Sequence, residues 1–455
     1  MSKPGVVPIR RSLPNSSRRS SLHAAIRHNN PANGHFGQDR LRTATQAGAT
    51  FTHGNAAMNR RHDIDALRVL AFGLLILYHA AMLYVAGEGW DFHLKSSHTT
   101  EWLQYPMLFL NRWRMELLFL VSGLAVNFMR RRGSLGRLAG KRSVRLLLPL
   151  VFGVLVVVPI QPYVQGLSNH LVEPGFGHFL LRYWSGGPWP AGAFTGWQYG
   201  FTWNHLWYLP YLWVYTMLLL ALLPLLESRH GQRLRAACLN LRGAPLLLLP
   251  ALPLLLWNVL LADRYPVTGA LWGDWYAHAV YATMFLYGYL LGTDSGVWTE
   301  LARLRRTTLP LALICFALYL LGIKGLPEDA ATPLWMAVRA LHYLYLWSAI
   351  ACVLGWGHAY LNRPFRWLPY AREAVYPWYV LHQSLLLLFA WWLMPLGLGP
   401  VAEPALILLG TVGGCALLHE GVIRRLRWLR PLFGLDMPVS TSAPTRSARM
   451  ADDLA

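Results

Sequence analysis

Two ionisable residues, Arg68 and His79, lie inside a long apolar run at 64–87. They stand eleven positions apart, and at 100° per residue this spacing puts both on one helix face, separated by ~16.5 Å. Ionisable groups facing lipid are costly, so this face should be buried in protein or line a hydrated cavity. A neutral imidazole is a suitable general base. Arg68 has an alternative: it can reach the headgroups or pair with Asp65.

The next apolar run, NRWRMELLFLVSGLAVNFM, contains three charged residues. Arg112 and Glu116 are i,i+4 neighbours that can neutralise each other, while Arg114 points to another face. Charges at this depth indicate function. Arg114 or backbone amides are candidates for stabilising a developing oxyanion, and Glu116 either orients the histidine of the first run or only neutralises Arg112. Close helix packing explains Ser122 and Gly123.

Aromatic residues accompany two further histidines. NHLWYLPYLWVY places His205 and Trp207 at one end of a later run, and YPWYVLH places Tyr376, Tyr379 and His382 at three-residue steps on one helix face. Together these side chains could bind a polar substrate. Each aromatic residue alone is more often a packing residue or an anchor at the membrane interface than a binding residue.

The stretch KRSVRLLLP places Arg142 and Arg145 three residues apart. We expect this pair at a helix N-terminus, where guanidinium groups and free backbone N–H groups both favour phosphate. The alternative is ordinary positive charge on a cytoplasmic loop. The sequence has no P-loop, no GxGxxG and no HExxH motif.

The composition indicates which elements must position these residues. Of 455 residues, 55% are hydrophobic and 14% are charged, which favours an all-α, polytopic membrane protein over a set of soluble domains. The net charge of +20 lies largely in short arginine-rich loops, so we expect anionic lipid headgroups as partners and no nucleic acid. The four cysteines lack CxxC spacing, so we predict no disulfide framework and no metal site.

Ten apolar runs are long enough to cross ~30 Å of hydrocarbon. They are 64–87, 104–128, 144–165, 204–226, 244–262, 271–292, 307–325, 333–357, 373–395 and 402–422. Arginine clusters follow every second run, whereas the alternate loops carry few cations. This alternation predicts ten spans with both termini cytoplasmic.

The remaining segments are polar or aromatic. Residues 1–57 and 431–455 are predicted to be disordered cytoplasmic tails, the first of them basic, around a membrane domain at 60–425. Met58 is a candidate for the true start of translation. The long connection at 168–203 is rich in Trp, Gly and Pro, which suits the interfacial aromatic belt and, less strongly, sugar binding.

Four of these motifs occur in an order that resembles the membrane acyltransferase 3 family. They are Arg68 with His79 after ten intervening residues, FLVSG in the second run, the RxxR pair of Arg142 and Arg145, and Tyr-x-x-Tyr-x-x-His ending at His382. The resemblance covers about 60–425. LPYLWVY stands where the O-antigen acetylase branch usually has a SVEEQFY-like run, and HLWYL and RMELLFLVSG look closer to the glucan-modifying succinyltransferase branch.

The resemblance implies a multi-pass enzyme of the bacterial inner membrane that moves an acyl group from cytoplasmic acyl-CoA to an extracytoplasmic carbohydrate. Acetyl-CoA or succinyl-CoA would be the co-substrate, without a metal. His79 and Arg68 would be the essential residues, and Arg142 and Arg145 would hold the donor. Direct transfer and an acyl-histidine intermediate both stay open. The competing hypothesis is a transporter or flippase with a buried Arg/Glu/His path; the acceptor glycan and the oligomeric state are left undetermined.

Overall fold

The fold is a bundle of helices. The computed structural model describes residues 61–130, 134–292 and 295–437. Within these ranges no strand forms, and the one extended pairing is an isolated bridge between Val85 and Thr100. Helices satisfy every backbone hydrogen bond internally, which a chain in lipid requires. The predicted all-α class is therefore confirmed.

Twelve helices of the described residues are numbered in chain order. They are α1 (His62–Met82), α2 (Gln104–Arg130), α3 (Leu135–Ser168), α4 (Phe176–Trp184), α5 (Asn204–Glu227), α6 (Arg229–Leu239), α7 (Gly243–Ala262), α8 (Trp275–Leu291), α9 (Ser295–Gly325), α10 (Thr332–Leu361), α11 (Leu368–Leu396) and α12 (Gly399–Ile423). A π-helical turn at Gly153–Val157 interrupts α3.

Eight of these helices are long and apolar enough to cross a membrane, namely α1, α3, α5, α7 and α9 to α12. The multi-pass class is thus confirmed. The other two predicted spans are also helices but fall outside this set for physical reasons. The first, α2, has 27 residues but carries the three charges noted above, and α8 has only 17 residues. The count of ten spans stays a prediction.

The helices α2 and α8 pack closely along small residues. A Cβ atom on Gly123 would overlap the carbonyl group of Phe285, and one on Gly288 would overlap the carbonyl group of Leu120. The two backbones approach too closely for any larger residue at these points. The close packing predicted at Gly123 is confirmed, whereas Ser122 donates or accepts a 2.6 Å hydrogen bond with the Tyr208 hydroxyl.

The centre of the bundle is formed by α10 and α11. About half of each apolar stretch is buried, 56% for α10 and 50% for α11, against 22% for α7, α9 and α12. The outer helices expose large aliphatic side chains such as Leu313 and Leu321 of α9. Such a surface is suited to lipid contact. Residues on α10 and α11 are therefore held by protein on several sides.

Two of the arginine-rich stretches pair with carboxylates of other segments. Arg372 lies 3.7 Å from Asp65 at the start of α1, and Arg145 lies 3.5 Å from Asp436 near the end of the described chain. The alternation of charge between successive connections stays a prediction. Which side faces the cytoplasm stays a prediction.

The predicted tails lie mostly outside the described residues, as does Met58. Residues 431–437 of the second tail are described: they contain a short 3-10 helix at Pro431–Phe433, with Phe433 buried. In the connection at 168–203, Phe179, Tyr183 and Phe194 are buried in a small aromatic cluster of their own. The belt and sugar interpretations of that connection stay predictions.

Candidate active site

His79 of α1 and His382 of α11 form a direct pair inside the bundle. Nδ1 of His79 lies 3.0 Å from Nε2 of His382, and the two rings meet edge to edge, with centroids 5.1 Å apart and planes inclined by only 9°. His382 is fully buried. The sequence placed both residues in the candidate site but did not show that they touch, because they are 303 positions apart.

The neighbours of His382 determine where the protons of this pair lie. Nδ1 of His382 is 2.8 Å from the Tyr379 carbonyl oxygen and 3.2 Å from the Trp378 carbonyl oxygen. Carbonyl oxygens only accept, so this nitrogen carries a proton, and in the neutral ring Nε2 is an acceptor. Nδ1 of His79 therefore donates to it. The second nitrogen of His79, Nε2, is left unprotonated, which is the state that a general base requires.

A third histidine, His205 of α5, supports the pair from the side. Its ring stands edge-on to His382, with centroids 5.1 Å apart. Its Nδ1 accepts from the Gln161 amide at 3.1 Å, and its Nε2 donates to the Val380 carbonyl oxygen at 3.2 Å. Both nitrogens of His205 are engaged, so this residue is suited to positioning and not to a second base.

A network of side-chain amides extends from His205 towards the connection between α1 and α2. The Gln161 oxygen accepts from Gln383 at 3.1 Å and from Asn204 at 2.9 Å. Gln383 also donates to Nε2 of His93 at 3.1 Å, and Nδ1 of His93 donates to Gln165 at 2.7 Å. Burial lowers the pKa of His93, partly offset by the bond to Gln165, so the network holds a neutral ring.

Sequence reasoning missed this amide network. A neutral glutamine in an apolar run carries no charge and belongs to no motif. The available signal was weak: Gln161 and Gln383 are among the few polar side chains in their runs, and a buried amide needs partners.

Three arginines from two helices, Arg68 of α1 with Arg142 and Arg145 of α3, converge at one end of the bundle. Arg142 is buried, its Nη2 lies 3.4 Å from the Thr216 hydroxyl, and its Nε has no hydrogen-bond partner within the described chain. Arg68 and Arg145 lie within electrostatic range of it. Arg68 also pairs loosely with Asp65 at 3.7 Å. Like charges gathered in this way favour an anionic ligand.

A cavity of about 600 Å³ opens beside this cluster. Arg137, Lys141, Arg142 and Arg145 line one wall, and residues of the segment 431–437 line the other. Guanidinium and ammonium groups at such density suit phosphate. The expected helix N-terminus is wrong, because α3 begins at Leu135. The amphipathic stretch before the RxxR pair continues the helix, so the free N–H groups lie two turns earlier.

Tyrosine rings connect the arginine cluster with the histidine pair. The Tyr376 hydroxyl donates to the Arg145 carbonyl oxygen at 2.8 Å, the Tyr376 and Tyr379 rings are 6.3 Å apart, and the Tyr379 ring lies 6.2 Å from that of His382. The predicted shared face of these residues is therefore a continuous row. A second, apolar cavity of about 140 Å³ between α1 and α11 also reaches His382.

Arg114 is the charged group of α2 that lies near the histidine pair. Its side chain is 3% exposed, and its guanidinium carbon sits 3.8 Å from the centre of the Tyr78 ring. Its Nε and Nη1 make no hydrogen bond within the described residues. His79 and His382 are both within its electrostatic range. Two unused donors on a buried cation can stabilise a nearby negative charge.

Other predicted site residues lie elsewhere. Arg112 and Glu116, which were predicted to neutralise each other, make no close ion pair within the described residues; the Arg112 guanidinium lies 5.6 Å from the centre of the Tyr319 ring. Glu116 stays within electrostatic range of Arg112 but makes no hydrogen bond to His79. Trp207 packs on Tyr211, with centroids 5.1 Å apart, away from the pair.

The comparison with protein families agrees with this arrangement. A family model described as an acyltransferase domain, that of the acyltransferase 3 family, matches residues 61–420. No curated protein and no solved structure gives a significant match. The match covers most of the chain, including the histidine pair and the arginine cluster. The chain therefore belongs to the acyltransferase 3 family and is a membrane acyltransferase.

Proposed function

We propose that this enzyme transfers an acetyl or succinyl group from cytoplasmic acyl-CoA to a hydroxyl of an extracytoplasmic glycan, in the bacterial inner membrane. The observation that carries the proposal is the 3.0 Å hydrogen bond from Nδ1 of His79 to Nε2 of His382, which leaves Nε2 of His79 free to act as a base. The family match supports acyl transfer. The donor and the acceptor are our inference from the site and from the resemblance.

In this mechanism Nε2 of His79 removes the proton of the acceptor hydroxyl. The oxygen attacks the thioester carbonyl carbon, and the carbonyl oxygen becomes an oxyanion. When the tetrahedral intermediate collapses, the carbon–sulfur bond breaks and the thiolate takes the proton from His79. The products are a glycan ester and free CoA. If Nε2 attacks the thioester itself, the same atoms pass through an acyl-histidine.

Arg114 is the residue we assign to the oxyanion. Its burial in a weakly polar environment strengthens its field, and its two unused donors are the ones that a developing charge can occupy. Arg114→Gln should lower kcat by about 10²-fold, the effect of losing one oxyanion donor, with little change in the donor KM. Arg112→Gln, on the same helix, is the control. Equal losses in the two variants would contradict this role.

The donor would span the distance between the two clusters. Its phosphates would bind at Arg142 and Arg145, and the thioester would reach His79 along the row formed by Tyr376 and Tyr379. The ~16.5 Å rise from Arg68 to His79 corresponds to an extended pantetheine arm. RMELLFLVSG and HLWYL resemble the glucan-modifying succinyltransferase branch but leave the choice between acetyl and succinyl open, so both acyl donors are assayed.

The deciding experiment supplies radiolabelled acetyl-CoA or succinyl-CoA and a membrane-derived glycan to the purified protein. We expect base-labile label on the glycan, and none with His79→Gln. His419→Gln is the control, because His419 is another histidine within the helices, and neither of its ring nitrogens has a hydrogen-bond partner in the described chain. Full activity of His79→Gln would end the proposal. Glycan movement without ester formation would favour the transporter hypothesis.

A further inference from the structure

The segment 429–437 lies beyond the family match, which ends at residue 420, yet it packs as part of the domain. Leu429, Phe433 and Leu435 are buried. The Phe433 ring meets the Phe152 ring of α3 edge-on, with centroids 5.3 Å apart. Three buried apolar side chains in so short a segment indicate a fixed position on the bundle.

Polar contacts fix the same segment against α11 and α3. Arg430 contacts Glu373 at 3.3 Å and donates to the Asp436 carbonyl oxygen at 3.0 Å. Gly434 has a φ of +70° and lies so close to the Tyr376 ring that a Cβ atom would overlap it. Tyr376 in turn holds the Arg145 backbone. The segment is therefore tied to the residues that present the arginine cluster.

The segment forms one wall of the 600 Å³ cavity. Four cations line the opposite wall, whereas the segment contributes one carboxylate, that of Asp436. This carboxylate lies 3.5 Å from Nη1 of Arg145, and its side chain is 89% exposed. An exposed ion pair of this kind is weak. A ligand with several phosphate charges can displace it, since charge-assisted bonds to arginine are stronger.

We propose that the segment 429–437 is a wall of the donor site and that Asp436 is an exchangeable counter-ion, which pairs with Arg145 until the phosphorylated nucleotide end of the donor replaces it. The ligand class follows from the four cations that line the cavity: an anion carrying several phosphate groups. Its identity as acyl-CoA rests on the proposed function. Asp436 would lower the affinity of the cavity for all anions. Because a highly charged anion displaces it more readily, the cavity would bind such anions in preference to weakly charged ones.

The test is calorimetric titration of the full-length protein in detergent with CoA and with inorganic pyrophosphate. Asp436→Asn should bind both about two- to fivefold more tightly, the range expected for loss of an exposed competing charge, and the gain should shrink at high salt. Phe433→Ala, which loosens the wall, should bind CoA more weakly. Asp263→Asn is the matched control: Asp263 is also exposed and pairs with an arginine, Arg339, at 2.9 Å.

The possible outcomes separate this inference from the proposed function. Unchanged or weaker binding by Asp436→Asn, while wild type binds CoA, overturns the counter-ion but not the donor. Equal gains in Asp436→Asn and Asp263→Asn also overturn it, because the effect would then be one of net charge. If wild type binds pyrophosphate but not CoA, the acyl-CoA donor fails, and tighter pyrophosphate binding by Asp436→Asn still supports the cavity. Binding of neither probe overturns both.

Discussion

Replacing His382 by phenylalanine tests whether the histidine pair works as the geometry indicates. In the wild type, Nδ1 of His79 donates to Nε2 of His382 at 3.0 Å. Phenylalanine fills the buried space but offers no acceptor. Without this acceptor, the proton of His79 is no longer held on Nδ1. In the tautomer with the proton on Nε2, that nitrogen cannot accept the proton of the acceptor hydroxyl. The variant should therefore lose turnover while it still binds the donor.

The size of the loss follows from the hydrogen bond. A neutral bond contributes about 1 kcal/mol, and a buried donor without a partner costs about 1–3 kcal/mol. At about 1.4 kcal/mol per tenfold in rate, kcat should fall about 5- to 100-fold. His382→Gln keeps an acceptor oxygen at this position and should retain kcat within about fivefold. His382 can orient the base without taking its proton, and the glutamine variant isolates that role.

The assay is steady-state transfer of radiolabelled acyl groups, with kcat and the donor KM measured separately. His342→Phe is a matched control, because His342 is a membrane-embedded histidine whose Nε2 has no hydrogen-bond partner in the described chain. Size-exclusion profiles and thermal melts of each variant check that the fold persists. An unchanged kcat in His382→Phe refutes the pair as part of the machinery. A glutamine variant as slow as the phenylalanine variant refutes pure orientation and implies proton transfer to His382.

Three further predictions concern the donor site, the amide network and the bundle. Replacing both Arg142 and Arg145 by Gln should raise the donor KM at least tenfold with kcat little changed, since two charged contacts are lost. An unchanged KM would mean that these arginines only contribute to the positive charge of a cytoplasmic loop. Because burial lowers the pKa of His93, the fold should lose stability as the pH falls below the ordinary pKa of histidine. The melting temperature of His93→Gln should therefore depend less on pH over that range than the melting temperature of wild type. An identical pH dependence of the two melting temperatures would contradict this. Gly288→Val should destabilise the fold by about 2 kcal/mol or more through overlap with α2, whereas Gly73→Ala, which has nothing within 4 Å of the added atom, should melt like wild type.

The sequence alone determined the fold class and most of the helices. Long apolar runs predict helices, because a segment in lipid must form all of its backbone hydrogen bonds internally. Sequence-based predictions failed where a contact with another helix, or the length of a helix, decided the outcome. The i,i+4 spacing of Arg112 and Glu116 allowed a close ion pair, but the Arg112 guanidinium lies beside the ring of Tyr319 on α9. The RxxR pair lies inside α3 because helix propensity continued past the expected boundary.

Residue types also marked His79, His382, Arg114 and the RxxR arginines, since charge and imidazole are costly in a membrane and so stand out in an apolar run. Their partnerships were decided only by tertiary structure. A contact between α1 and α11, the tautomer it selects and the wall formed by 429–437 depend on how separate helices pack. Packing is set by shape and by hydrogen bonds between distant segments, and periodicity along one segment reports only the face that a residue occupies, not the partner that it meets.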